Sequence, residues 1–364
     1  MTAPRASPAV VVRALRARAR ALGVTRVARL TGLDRAGVEV ACAVRPLGHV
    51  LQVCNGKGAT FEQAAASALS EAAELAAAER PDPLRLRYAS VAELRGRRVG
   101  FVPPEGCGSA GELVAPELCT ETTRLGWIGG RSLRTGREVL VPAQAVFCPP
   151  ADGPQLGPSL VRWTTNGLAA HVSRVRAVRH ALLEVMERGE LDAALPGGWT
   201  AGQVRRRMVR PEGALSRLAG SLAARRLELH LFDLTPGRAG VPLAGALLFD
   251  LDGGPIPLAA GYACRPRLGE ALVAAAHEAA QSRLTDIHGA REDVTLMEPV
   301  GAAVLLRACR AARPRLVARA PAGAGVRALL ERLPGDAVAV DLGTWGGLRV
   351  VKVIAPALRV SRLL

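Results

Sequence analysis

Carboxylates at helical spacing with no base beside them are the first feature of this chain that could do chemistry. In NGKGATFEQAAASALSEAAE, from Asn55 to Glu74, an alanine-rich stretch places Ser67, Glu71 and Glu74 on one helical face. The residues one turn away are Ser67 and Leu75 for Glu71, and Ser70 and Ala78 for Glu74, so the usual intrahelical Glu to Lys pairing is absent. HALLEVMERGE repeats the design with Glu184, Glu187 and Arg188, and EALVAAAHEAAQSRLTDIHGARED repeats it with Glu278 and Gln281, followed by Arg291. Converging carboxylates raise one another's pKa unless a cation lies between them. Oxygen donors with no Cys or His at ligand spacing suit magnesium rather than zinc. Magnesium leaves room for phosphate oxygens, which Arg188 and Arg291 could share, so the pattern points to a nucleotide. Each helix taken singly also fits an ordinary solvated face, where the Glu184 and Arg188 pair would be worth only about 0.3–0.5 kcal/mol. The recurrence in three helices is what argues for a site.

Strands and turns must position these helices. VEVACAVRP and HVLQVCNG read as two strands leading into the first helix, which Pro81 stops, and residues 10–23 read as a basic amphipathic helix. Residues 226–235 and 241–252 read as adjacent strands, and residues 337–342 and 347–354 as two more. Asn-Gly precedes the second acidic helix as it does the first, an internal pseudo-repeat. The expected class is α/β (α+β), with strands packed against the acidic helices. Residues 1–54 read as an N-terminal helix and strands, and 55–364 as the main domain, with 82–158 a Gly/Pro-rich connecting subdomain inside it. GKGAT lacks the first glycine and the four-residue spacer of a P-loop, and no dinucleotide fingerprint is present.

Composition removes several function classes. With 364 residues, 49% hydrophobic and 22% charged, the chain has the profile of a soluble globular protein. It has no signal-peptide pattern and no apolar run of the roughly 18 residues a membrane span needs, so a cytoplasmic location and no membrane partner are expected. The net charge of +16 invites a nucleic-acid reading. Against it, the arginines are scattered, and aromatics at 3% are too sparse to serve as base-stacking platforms. Of the 48 lysine and arginine residues only Lys57 and Lys352 are lysine, which reads as a GC-rich genome's bias. The seven cysteines are widely spaced and odd in number, as expected of reduced, packed thiols.

On these blocks the sequence resembles the YcaO family: LGVTRVARLTGLDRAGVEVACAVRP, NGKGATFEQAAASALSEAAE, TTNGLAAH with HALLEVMER, EAAQSRLTDIHGARED and VVKVIAPAL. The resemblance implies ATP- and Mg2+-dependent O-phosphorylation of a backbone amide in a ribosomally made peptide or protein. Attack by a Cys, Ser or Thr side chain then gives an azoline, and attack by external sulfide gives a thioamide. By the same resemblance Ser67, Arg188, Gln281 and Arg291 bind ATP, and Glu71, Glu74, Glu184, Glu187 and Glu278 hold magnesium. Leu75, Val172, Arg176, Gly189 and Ala274 depart from the family pattern. They raise the alternative of a non-catalytic YcaO-like subunit that binds a peptide or partner protein. TGLDRAGVEV is similar to members found with TfuA-type partners, and LRVSRLL lacks the proline-rich ending of azoline-forming members, so thioamide formation is expected ahead of azoline formation. The implied partners are the peptide substrate, a separate leader-binding or TfuA-like sulfur-delivery protein, and a second copy in a homodimer.

Overall fold

Alanine and glycine decide how closely the helices of this chain approach its sheets. The computed structural model describes residues 17–236, 240–289, 299–317 and 325–360. The N-terminal part contains β1 (Arg26–Arg29), β2 (Glu39–Val44), β3 (Val53–Gly58), α1 (Phe61–Ala78), β4 (Leu86–Ala89) and α2 (Val91–Gly96). There follow β5 (Gly111–Leu113), β6 (Leu125–Ser132), β7 (Glu138–Pro142), β8 (Val161–Trp163), β9 (Leu168–His171) and α3 (Arg174–Ala194). Next come α4 (Ala201–Arg207), β10 (Met208–Val209), α5 (Ala214–Ala223), β11 (Leu227–Asp233), β12 (Leu243–Asp250) and β13 (Leu258–Cys264). The last are α6 (Leu268–His288), α7 (Pro299–Ala311), α8 (Val326–Arg332), β14 (Val338–Trp345) and β15 (Leu348–Ile354).

The strands form an antiparallel sheet β1-β2-β3, a second of order β10-β11-β12-β13, and a six-stranded sheet of order β4-β6-β14-β15-β9 with β7 beside β6. β5 pairs with β8. The Gly/Pro-rich stretch thus supplies β4, β6 and β7 to the same sheet as the C-terminal hairpin β14–β15. The strands expected near 226–252 and 337–354 are present as antiparallel pairs. β12 is buried at every residue because α6 covers one face of its sheet while α3 and α7 pack on the other. The expected helix at residues 10–23 begins outside the described residues; Ala19–Leu22 is a single 3-10 turn, ended by Gly23 at φ 76°.

The helix α1 begins where Thr60 accepts the Gln63 N–H at 3.3 Å while the Gln63 side chain accepts the Ala59 N–H at 2.8 Å. Its buried stripe is mostly alanine: Ala64, Ala68, Ala72, Ala73 and Ala76, with Leu69. Small side chains let β3 lie against the helix backbone, and a Cβ on Gly56 would stand 2.2 Å from both the Ala64 oxygen and the Ala68 nitrogen. The pair β13–α6 repeats this packing, since a Cβ on Gly261 would stand 2.2 Å from the Ala279 nitrogen and 2.3 Å from the Ala275 oxygen. The C-terminus of α1 is tied down by Glu79, which is 5% exposed. It accepts an Arg45 Nη1 hydrogen bond and the His49 and Val50 N–H groups, all at 3.1 Å. Charge-assisted bonds of this kind offset the desolvation of both ions.

Candidate functional site

One carboxylate of α1 and one of α3 are each fixed by a backbone donor from a different strand. Glu74 Oε1 accepts the N–H of Ala170 on β9 at 2.7 Å, and Glu187 Oε2 accepts the N–H of Cys264 on β13 at 2.7 Å. The backbone N–H of Gly167, in the turn before β9, favours the ionised form of Glu184. From α6, Glu278 forms an ion pair with Lys57 on β3. Beside it, Asn55 Nδ2 donates to Thr285 Oγ1 at 3.1 Å.

Behind the site α6 is anchored by Arg283, which is 3% exposed. Its guanidinium reaches Asp34 at 3.1 Å, Asp250 at 2.9 Å and the Ile256 carbonyl at 2.6 Å. The LDR of TGLDRAG thereby fixes the helix that carries Glu278 and Gln281, and the adjacent Arg35 also reaches Asp250.

These groups share one charge environment. Burial pushes the Glu74 carboxyl well above the usual range, and the charges of Glu184 and Glu71 push it further. Burial raises Glu184 to about 7, with Glu187 adding to the effect and Arg188 and Lys352 opposing it. Glu187 is raised by its own burial, against Arg188 and the Cys264 N–H. Two ammonium groups answer the carboxylates. Lys352 on β15 is 0% exposed; its Nζ donates to the Thr164 carbonyl at 2.6 Å and stands 5.0 Å from the Trp163 ring centroid. Burial lowers Lys352 to about 7, opposed by Glu184 and Glu74, and lowers Lys57 to about 8, opposed by Glu187 and Glu71.

Among the described residues no three His, Cys, Asp or Glu side chains are gathered closely enough to form a metal cluster. The donor chemistry nevertheless fits magnesium: the groups are carboxylate oxygens, held by the scaffold and raising each other's pKa. A bound divalent cation would relieve that repulsion.

The other expected positions fall as follows. Ser67 is exposed on α1 beside Gly56, and Gln281 is half-buried on α6. Arg188 Nη2 lies 3.9 Å from Glu184 Oε1, and its Nε is buried with no hydrogen-bond partner among the described residues. Arg291 lies outside the described residues. Leu75, where the family pattern has an arginine, is 0% exposed in an apolar cluster with Leu22, Val24 and Leu348, so at this position the chain has a core side chain. Gly189 lets α3 pack against Leu358, which would stand 3.1 Å from a Cβ there. Val172 and Arg176 are exposed at the start of α3, and Ala274 is half-buried on α6. Reasoning from local spacing missed Lys57, Lys352, Arg283 and the two backbone donors. The lysines carried a usable signal, since both members of a type otherwise absent from the chain border this site.

A pH dependence follows. Glu184 has its folded pKa raised above the unfolded value. Its contribution to stability is therefore complete below the ordinary carboxylate range and is lost as pH rises through about 7. Glu74 and Glu187 are raised too and act in the same sense. Lys352, lowered to about 7, contributes stability present above the ordinary ammonium range and lost as pH falls through that value. Lowered histidines such as His180, at about 4, act in the opposite sense over the same range. The readout is therefore the difference: between about pH 5 and about pH 7 Glu184→Gln is expected to gain stability relative to the wild type as pH rises. Urea midpoints across that range check this, and an identical slope in the variant would disprove the role given to Glu184.

Fold and site together define a class: an α+β protein in which three acidic helices, backed by antiparallel sheets, carry carboxylates that share one charge environment. Residues 55–359 match the family described as YcaO cyclodehydratase, ATP- and Mg2+-binding, and the chain belongs to that family. It is 35% identical over 289 residues to an uncharacterized protein of Methanothermobacter thermautotrophicus, covering 76% of this chain and 70% of the relative. It is 29% identical over 340 residues to an uncharacterized protein in the tfuA 3′ region of Rhizobium leguminosarum bv. trifolii, covering 91% and 74%. Among solved structures, YcaO from Methanopyrus kandleri bound with AMPPCP and Mg2+ superposes with a TM-score of 0.74 at 25% identity, covering 96% of this chain and 90% of that one. No helix among the described residues is long and apolar enough to cross a membrane.

Proposed function

We propose that this protein binds ATP and magnesium between α1, α3 and α6 and activates a peptide backbone amide by O-phosphorylation. The observation that carries the reading is the shared charge environment of Glu74, Glu184 and Glu187, within a chain of the YcaO family. Glu71, Glu74, Glu184, Glu187 and Glu278 would hold magnesium, and Ser67, Arg188, Gln281 and Arg291 would contact the nucleotide. ATP supplies the phosphoryl group that turns the amide oxygen into a leaving group.

The chain's own residues position and neutralise. The Ala170 and Cys264 N–H groups commit one oxygen each of Glu74 and Glu187 to the scaffold, which fixes how the other oxygen is presented. Lys352 stabilises the Glu74 and Glu184 charges from beneath. A nucleophile adds to the amide carbon and gives up its proton, ATP phosphorylates the former carbonyl oxygen, and that oxygen departs as phosphate. A second proton is lost as it departs, from the amide nitrogen as C=N forms in the azoline branch or from sulfur as C=S forms in the thioamide branch.

External sulfide as that nucleophile gives a thioamide, and a neighbouring Cys, Ser or Thr gives an azoline. The relative from the tfuA 3′ region supports the thioamide branch with a separate TfuA-like or leader-binding partner, and a homodimer is what the family resemblance implies. The test is incubation of the purified protein with ATP, Mg2+, sulfide and a library of short Cys-, Ser- and Thr-containing peptides, followed by mass spectrometry. Exchange of oxygen for sulfur is the expected change, and loss of water would select the azoline branch. Absence of Mg-ATP binding by calorimetry at millimolar nucleotide would sink the enzyme reading and leave a non-catalytic peptide- or partner-binding subunit.

A further inference from the structure

Lys57 is singular in this chain. The other lysine, Lys352, is fully buried and bonded to a backbone carbonyl, which holds its amine in place. Lys57 pairs with Glu278 from α6 with its side chain 23% exposed, and its ammonium form is favoured by the charges of Glu187 from α3 and Glu71 from α1 and opposed by Arg265 and Arg188. One ammonium group is therefore paired with α6 and lies in the field of carboxylates from α1 and α3.

Its setting separates a fixed backbone from a movable side chain. Gly56 and Gly58 flank it and both lie flush on α1, since a Cβ on Gly58 would stand 2.4 Å from the Gln63 Cβ and 2.7 Å from the Ala64 nitrogen. Any rearrangement must therefore come from the lysine stem. The residue type matters as well. An arginine, used for every other basic position but Lys352, would grip a carboxylate in a two-pronged fork, whereas an ammonium is a point charge on a flexible chain.

We propose that Lys57 is the resident cation of the site: in the nucleotide-free protein it neutralises the three helices, and it must leave Glu278 for a divalent cation to bind. This rests on the reading of those helices as a magnesium and ATP site. A divalent ion outcompetes a single ammonium for the same carboxylates, and the displaced ammonium then needs a new anion. Nucleotide phosphate supplies one, so metal and nucleotide bind cooperatively and metal alone binds weakly.

The test is Mn2+ binding without nucleotide, by calorimetry, in the wild type and in Lys57→Met. The variant is expected to bind Mn2+ about tenfold more tightly and to lose most of the enhancement that ATP gives the wild type. Unchanged or weaker Mn2+ binding in a variant with a native circular dichroism spectrum overturns the proposal. A second measurement needs no variant: because Lys352 is buried, amine acylation read by mass spectrometry reports Lys57 as the reactive lysine. Saturating Mn2+ is expected to raise its labelling, and unchanged or reduced labelling also overturns the proposal. If the wild type modifies peptide with Mg-ATP while these readouts fail, only the role of Lys57 falls. If the wild type binds neither Mn2+ nor ATP, the reading of the site falls with it.

Discussion

Glu184→Gln is expected to lower ATP-dependent amide modification by at least about 10²-fold while leaving the protein as stable as the wild type or more so at pH 8. The two halves of this expectation have one cause. Glu184 is a carboxyl raised to about 7 by burial and by Glu187, so its ionised form is costly in the unliganded fold. Glutamine keeps the shape but removes the charge. The fold loses a repulsion, and the site loses an oxygen anion that the bound cation would use. The weak pair with Arg188, at 3.9 Å, subtracts little from the gain. Phosphate release and urea midpoint measured on the same preparation separate the possibilities. Unchanged activity removes Glu184 from the metal site, whereas loss of folding assigns it a structural task.

The helices that carry these carboxylates were legible because their signals are local. Thr60 before an alanine run marks the start of α1, and Gly289, at φ 66°, ends α6 where the periodicity stops. The apolar runs of β11 and β12, and of β14 and β15, were equally plain, since each pair is adjacent in sequence. What remained hidden is non-local. β6 pairs with β14, and β15 runs between β14 and β9, which brings Lys352 beneath Glu74 and Glu184. No spacing rule connects a lysine near the C-terminus to a helix that starts at Phe61. β1 was also missed, because RVAR carries two arginines in four residues and lacks an apolar run. Arg283 reads from sequence as one more surface charge on α6, and its burial depends on Asp34 and Asp250 arriving from separate segments. The pseudo-repeat was recognised from the Asn-Gly pairs at 55 and 166, yet the second pair has a different task. Gly167 is a turn residue at φ +76°, pressed against the Val353 carbonyl. The packing of Gly56 on α1 recurs instead at Gly261 on α6.

That recurrence makes the glycine contacts the most sensitive geometric control on the site. Gly56→Ala is expected to destabilise the protein by about 1–3 kcal/mol and to reduce activity about 10²-fold. The added methyl would lie 2.2 Å from the Ala64 oxygen and the Ala68 nitrogen and 2.8 Å from the Ser67 Cβ. Two of these atoms are helix backbone and cannot rotate away, so α1 must move off β3 by about 1 Å, a displacement that alone can cost that much rate. Glu71 and Glu74 would move with it relative to α3 and α6, and Glu74 would strain its 2.7 Å bond to the Ala170 N–H. Gly261→Ala repeats the experiment on the opposite wall, where the methyl would meet the Ala279 nitrogen, the Ala275 oxygen and the Glu278 Cβ. Gly220→Ala in α5, with nothing within 4 Å of its Cβ, is the control and is expected to stabilise by about 0.4–1 kcal/mol with activity intact. The decisive quantity is the ATP-dependent rate at a temperature where all three variants are folded. Wild-type rates in Gly56→Ala and Gly261→Ala would mean that the separation of the acidic helices does not set catalysis, and the assignment of the site between them would fail.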